Sequence, residues 1–152
     1  MINKIKENIC ILIASLMLVS TFQVAMAQDS KAPQNILIQL KDSTNDLHAG
    51  YMAFKVGNVL LKKKQVVTIF LNLEAVRIAD ERQPLNLKWG LNEKTLEDYY
   101  NHFVSNGGKI FVCPHCAKAV GLGTKQIRKG AQLTDENKIA ELILNADKIM
   151  DY

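Results

Sequence analysis

The amino-acid sequence predicts an α/β domain built on a mainly parallel sheet. Three observations carry that expectation. Short runs of aliphatic and β-branched residues recur at Ile36–Leu40, Val66–Leu71 and Ile110–Val112, as in strands buried on both faces of a parallel sheet. Segments with helical apolar spacing separate these runs. Strands alternating with helices imply crossover connections, and hence parallel pairing. In such sheets ligands bind beyond the C-terminal ends of the strands. The loops that leave those ends are Asp42–His48, Asn72–Arg77 and Cys113–Cys116.

The N-terminus stands outside this pattern. Lys4 and Lys6 precede an apolar run, Ile9–Val19, interrupted only by Ser15, and Ala25-Met26-Ala27 follows as a small-residue cleavage signal. This reads as a secretory signal peptide over residues 1–27, cut after Ala27; an uncleaved N-terminal anchor is the alternative, but the run is short for a bilayer span. Cys10 lies within the run and leaves with it. The remaining domain, residues 28–152, has 125 residues, enough for one core and too few for two. Cleavage removes Lys4, Lys6 and Glu7 and takes the formal charge from +4 to +3. That balance shows no basic stripe for nucleic acid, and Lys62-Lys63-Lys64 reads as a solvated helix end. We expect a periplasmic protein with no nucleic-acid partner and no stable membrane insertion after cleavage.

After a polar lead-in containing Pro33, Ile36–Leu40 is the first strand. A helix is expected from about Asp46 to Leu61, with Leu47, Tyr51 and Phe54 in one apolar row and Met52, Val56 and Val59 in the next. Its small residues, Ala49, Gly50, Ala53 and Gly57, permit close approach to a sheet. Val66–Leu71 is the second strand, and Asn72 to Ala79 a turn and short helix. Asp80 to Leu91, with Pro84, Trp89 and Gly90, reads as irregular surface. Asn92 is the expected cap of a helix that buries Leu96, Tyr99, Tyr100 and Phe103 and stops at Gly107-Gly108. Ile110–Val112 is the third strand. Pro114 suits the first position of a short helix ending at Gly121. After a basic connection, Ala131–Leu133 is a small strand or an extended lead-in. Thr134 is the expected cap of a last helix with the stripe Ile139, Leu142, Ile143 and Ala146. A final strand covers Lys148 to Tyr152.

The chemistry-bearing stretch is Cys113-Pro114-His115-Cys116. Cys113 falls at a strand end and a helix start, where exposed amides and the helix dipole favour a thiolate. Two cysteines in a secreted domain of this size make no disulfide framework, so the C-x-x-C spacing points to redox or sulfur chemistry. A buried, inert thiol is the plain alternative for Cys113. His115 lies between the cysteines and is placed to tune the thiolate. His48 and Glu74 are candidate wall residues by loop position, with solvated loop charges as the plain alternative, which we prefer for Arg77. Lys118, Lys125, Arg128 and Lys129 add positive potential or form a solvated loop. His102 sits on a helix beside aromatic residues and reads as a surface or core-edge histidine. A zinc site has only two cysteines and scattered histidines to draw on, with no second C-x-x-C or H-x-x-x-H, so no metal is expected. No phosphate-cradling glycine fingerprint follows the first strand, so no nucleotide cofactor is expected.

The order of these elements, with Asn72-Leu73-Glu74-Ala75-Val76 after the second strand and Gly107 through Leu122 (G-G-K-I-F-V-C-P-H-C-A-K-A-V-G-L), resembles the DsrE/DsrF-like sulfur-relay family. The ending, Gly130-Ala131 through Ala146-Asp147-Lys148-Ile149, fits as well. The resemblance covers nearly all of residues 28–152. It implies a three-layer, flavodoxin-like α/β fold, assembly as a homo-oligomer (trimer or hexamer), and a persulfide-carrying cysteine after the third strand. Cys113 occupies that position. It also implies sulfur donor and acceptor proteins, or small polysulfides, as partners. Cys116 and the secretion signal are departures from the better-studied, cytoplasmic relays. Two other functions remain open: a thiol-disulfide redox protein using Cys113 and Cys116, and a non-catalytic oligomeric binding protein. Against a thioredoxin fold, only 36 residues follow Cys116 and none is proline.

Overall fold

Successive side chains of the strands point to opposite faces of one sheet, and the central strands are buried on both faces, so a core forms on each. The computed structural model describes residues 32–152. The expected signal peptide, with its cleavage site and Cys10, lies outside the described residues. Within them are five strands, β1 (Asn35–Leu40), β2 (Val66–Leu71), β3 (Lys109–Val112), β4 (Ala131–Leu133) and β5 (Lys148–Asp151). Four α-helices accompany them: α1 (Leu47–Lys62), α2 (Leu96–Ser105), α3 (Pro114–Ala119) and α4 (Glu136–Leu144). Two 3-10 segments, Leu73–Ala79 and Thr124–Gln126, complete the set. The sheet runs in the order β4-β3-β2-β1-β5, and every pairing is parallel.

Ile36, Ile38 and Leu40 of β1, Val67, Ile69 and Leu71 of β2, and Ile110 and Val112 of β3 enter one core with α1 and α2. Leu37, Phe70 and Phe111 point the other way and meet Ile139, Leu142 and Ala146. Helices on both faces make a three-layer α/β domain, as the sequence predicts. Connection order explains which helix goes where. Stepping β1 to β2 to β3 to β4 moves in one direction along the sheet, so right-handed crossovers put α1, α2 and α3 on one face. The chain must then return past the whole sheet to place β5 beside β1. The same handedness puts α4 on the opposite face.

Several local expectations shift. The buried face of α1 is Gly50, Tyr51, Ala53, Phe54, Gly57 and Asn58. Val59 is exposed and Met52 and Val56 are only partly buried, because Gly57 and Asn58, not the Met52 row, face α2. A Cβ on Gly57 would lie 2.9 Å from Phe103 Cε2, so the missing side chain sets that approach. Thr95, not Asn92, caps α2: its Oγ1 accepts from the Asp98 N–H, and Asp98 accepts from the Thr95 N–H in return. This reciprocal box satisfies two amides, whereas Asn92 closes a turn onto the Trp89 carbonyl. Asp135, not Thr134, caps α4: its carboxylate accepts the Lys138 N–H at 2.8 Å, while Thr134 continues the sheet ladder by donating its N–H to the Val112 carbonyl. Ile143 is exposed, off the face of α4 that meets the sheet.

The irregular segment after residue 79 is more than surface. Asp80 and Leu85 are buried. Asp80 bridges antiparallel to Ile127, and its carboxylate takes both Arg82 Nε and Nη2 at 2.8 Å. The Arg82 guanidinium holds the Asp80 carboxyl below the usual range, against the opposing effect of burial. Arg128 donates to the carbonyls of Ile78 and Asp80. It is tied to the end of the 3-10 segment and is a structural cation.

Candidate functional site

At the C-terminal edge of the sheet the ladder continues one residue beyond the strands. The Asn72 N–H donates to the Leu40 carbonyl at 3.0 Å, Cys113 to Leu71 at 2.9 Å, and Thr134 to Val112 at 3.1 Å. Asn72, Cys113 and Thr134 therefore stand side by side in one cross-strand row. The chain diverges on either side of Cys113. From β3 it turns into α3, whose Ala117 enters the first-face core. From β4 it turns into α4, which packs on the second face. Adjacent strands whose connections leave toward opposite faces open a crevice between them, the place where open α/β sheets bind ligands.

Cys113 is the residue that turns from β3 into α3, with φ −61° and ψ 120°, and Pro114 follows at the first helical position. Proline fits there because its fixed φ is helical and the missing N–H had no helical partner. The Cys113 carbonyl accepts the Ala117 N–H at 2.9 Å, closing the first turn. Cys116 sits three residues on, one turn away. Both thiols are free and partly buried. Both touch the first-face core, and Cys113 also touches the second-face cluster.

The loop after β2 reaches over this turn. Leu73 has a left-handed backbone, φ +46°, which costs a side-chain-bearing residue about 1–2 kcal/mol. That geometry directs its N–H to Cys116 Sγ at 3.2 Å. Burial pushes the Cys116 thiol above its ordinary pKa, and the neighbouring Cys113 sulfur pushes it the same way. The Leu73 N–H opposes both by favouring the thiolate. Asn72 adds a buried Oδ1 with no hydrogen-bond partner among the described residues.

The other expected site residues spread around this centre. His115 is 73 % exposed, and its Nε2 lies 2.9 Å from Glu136 Oε1. This pair spans the crevice from the start of α3 to the start of α4. Among the described residues no hydrogen bond joins His115 to either sulfur. Glu74, next to Leu73, is exposed and bonded to Arg77 Nε at 2.7 Å. His48 stacks on Trp89 with ring centroids 3.8 Å apart and planes 4° from parallel. It has no hydrogen bond to the cysteine turn among the described residues. Lys118 and Lys125 are exposed. No group of three or more His, Cys, Asp or Glu side chains gathers to hold a metal ion among the described residues. No helix among them is long and apolar enough to cross a membrane. Sequence reasoning missed Glu136 as the His115 partner, and it missed the part played by Asn72 and the Leu73 amide. The one available signal was their position immediately after a strand end.

Two solved structures resemble this arrangement. The crystal structure of the ychN protein from E. coli superimposes with a TM-score of 0.65 and 16% identity, covering 78% of this chain and 99% of that one. The conserved protein of unknown function BT1422 from Bacteroides thetaiotaomicron gives 0.57 and 15%, covering 78% of this chain and 95% of that one. At these identities the likeness is one of fold. No curated protein sequence matches the chain. The model of the DsrE/DsrF-like family matches residues 34–152, from the lead-in to β1 to the last residue and across the whole cysteine turn. On that match, with a five-stranded parallel sheet of the same fold behind it, the chain belongs to the DsrE/DsrF-like family.

Proposed function

We propose that this protein carries sulfur as a persulfide on Cys113, taking it from a donor and passing it to an acceptor. The observation that carries the proposal is the placement of Cys113. It is a free, partly buried thiol at the end of β3, where the connections from β3 and β4 leave toward opposite faces of the sheet. A thiolate there attacks the terminal sulfur of a donor, the donor's S–S bond breaks, and the donor leaves as a thiolate. The orphaned acceptor Asn72 Oδ1, in the same row, suits a ligand that brings an S–H donor. Family membership supports sulfur-relay chemistry. The working form is read as an exported, periplasmic homo-oligomer, a trimer or hexamer, served by small polysulfides or partner proteins. The exposed Leu144 and Ile149 support such assembly by offering apolar surface near α4 and β5.

The test loads the full chain with inorganic polysulfide, blocks thiols at once, and maps the peptides by mass spectrometry. In a Cys116→Ser chain the Cys113 peptide gains one sulfur atom. In Cys113→Ser, no peptide from the turn gains sulfur. Equal loading of Cys113→Ser and the parent chain would overturn the proposal. A second reading, thiol-disulfide exchange, is favoured by the placement of two free cysteines at the N-cap and in the first turn of one short helix. It wins if Cys113 and Cys116 exchange disulfides with a dithiol probe and neither ever holds extra sulfur.

A further inference from the structure

We infer that Cys116 is a resolving thiol, which ends the carrying step by releasing the sulfur from Cys113 as hydrosulfide. This rests on the persulfide proposal for Cys113 and gives the site a second outcome, reduction of the carried sulfur in place of transfer to an acceptor.

Three features of the turn support it. Cys116 lies in the first turn of α3, whose N-cap is Cys113, and the Cys113 carbonyl accepts the Ala117 N–H, which closes that turn and keeps the two cysteines adjacent. A modest adjustment of this first turn brings them to disulfide spacing. The second feature is that Cys116 is held, not merely near. The Leu73 amide donates to its Sγ from a strained left-handed position. That strain would be relieved if the loop simply turned the amide to water, so the contact is maintained by its surroundings. Ala75, two residues on, anchors the same loop through bonds from its N–H to the carbonyls of Lys41 and Asn72. The third feature is the division of labour between the sulfurs. Cys113 stands at the end of β3 against both hydrophobic clusters, where the donor is met, while the Leu73 N–H is directed at Cys116 Sγ and stabilises the Cys116 thiolate when it forms.

The step balances as follows. Cys116 loses its proton and its sulfur bonds to Cys113 Sγ. The bond from Cys113 Sγ to the carried sulfur breaks, and its electron pair leaves with that sulfur as hydrosulfide. The Cys116 sulfur is oxidised as it enters the disulfide, Cys113 Sγ stays at the level it held in the persulfide, the carried sulfur is reduced to the sulfide level, and the Cys116 proton passes to solvent. An external dithiol reductant returns the disulfide to the resting pair by two exchange steps.

The experiment exposes the full chain to inorganic polysulfide, removes the excess on a desalting column, and then follows hydrosulfide release and peptide-mapped thiol state without reductant. The parent chain is expected to release about one hydrosulfide per loaded Cys113 and to end with a Cys113–Cys116 disulfide. Cys116→Ser is expected to keep its sulfur on Cys113 and release none. Adding dithiothreitol and fresh polysulfide should make release catalytic in the parent chain, with many hydrosulfides per chain above a protein-free control. If the parent chain holds its persulfide as long as Cys116→Ser does, the resolving role is overturned while the carrier proposal stands. If Cys116→Ser takes up no sulfur at all while remaining folded by circular dichroism, the carrier proposal has failed, and the resolving role with it.

Discussion

Cys116 is the residue whose environment departs most from an ordinary thiol at the site. Burial is the leading cause, and the Cys113 sulfur adds to it in the same direction. An acid raised in this way stays protonated to higher pH, so alkylation of Cys116 should rise only above the ordinary thiol range, near about 8.5. Replacing Cys113 removes both contributions that its sulfur makes. The alkylation profile of Cys116 in Cys113→Ala should therefore move to lower pH, yet remain above the ordinary range, because burial persists. Peptide-resolved alkylation rates against pH measure this, and an unchanged or upward-shifted midpoint would contradict the coupling of the two sulfurs. The sequence made the pair visible because spacing and a following proline are both written in letters. The Leu73 contact was not visible. Leucine gives no sign of a left-handed backbone, and only the path of the loop after β2 imposes it. His115 was equally ambiguous, since its partner Glu136 is distant in sequence and meets it only when β4 is laid beside β3.

At the scale of elements, the strands were legible because their residues are apolar on both faces. The caps were less so. Asn92 and Thr134 each looked like good caps, but the choice was made elsewhere: by the carboxylate of Asp98 reaching back to Thr95, and by the Asp135 carboxylate accepting the Lys138 N–H. The α1 row containing Met52 also misled, because close approach to α2 selects small residues over large ones. Gly57 tests that point. Its missing Cβ would sit 2.9 Å from Cε2 and 3.2 Å from Cδ2 of Phe103, a fully buried ring. Gly57→Ala should cost about 1–3 kcal/mol by overpacking. At Gly50 the nearest atom would be 3.7 Å away, so Gly50→Ala should gain about 0.5–1 kcal/mol from helix propensity. Urea unfolding of both chains measures the difference, and equal effects at the two glycines would contradict the packing account.

For the whole molecule, the strand order is what turns a cysteine into a site. Alternating strands and helices announced the fold class, but not that the chain crosses back to place β5 beside β1. That return sends α4 to the second face and opens the crevice at the end of β3. No local pattern records it, because it depends on handedness acting over five strands. The central claim is that this edge holds a mobile sulfur on Cys113. The most direct measurement loads the Cys116→Ser chain with polysulfide carrying radiolabelled sulfur and then adds cyanide, which takes sulfur only from the sulfane level. The account predicts label on the Cys113 peptide before cyanide, its quantitative appearance as thiocyanate afterwards, and a free Cys113 thiol at the end. Label absent from that peptide, with Cys113 fully alkylatable throughout, would contradict it.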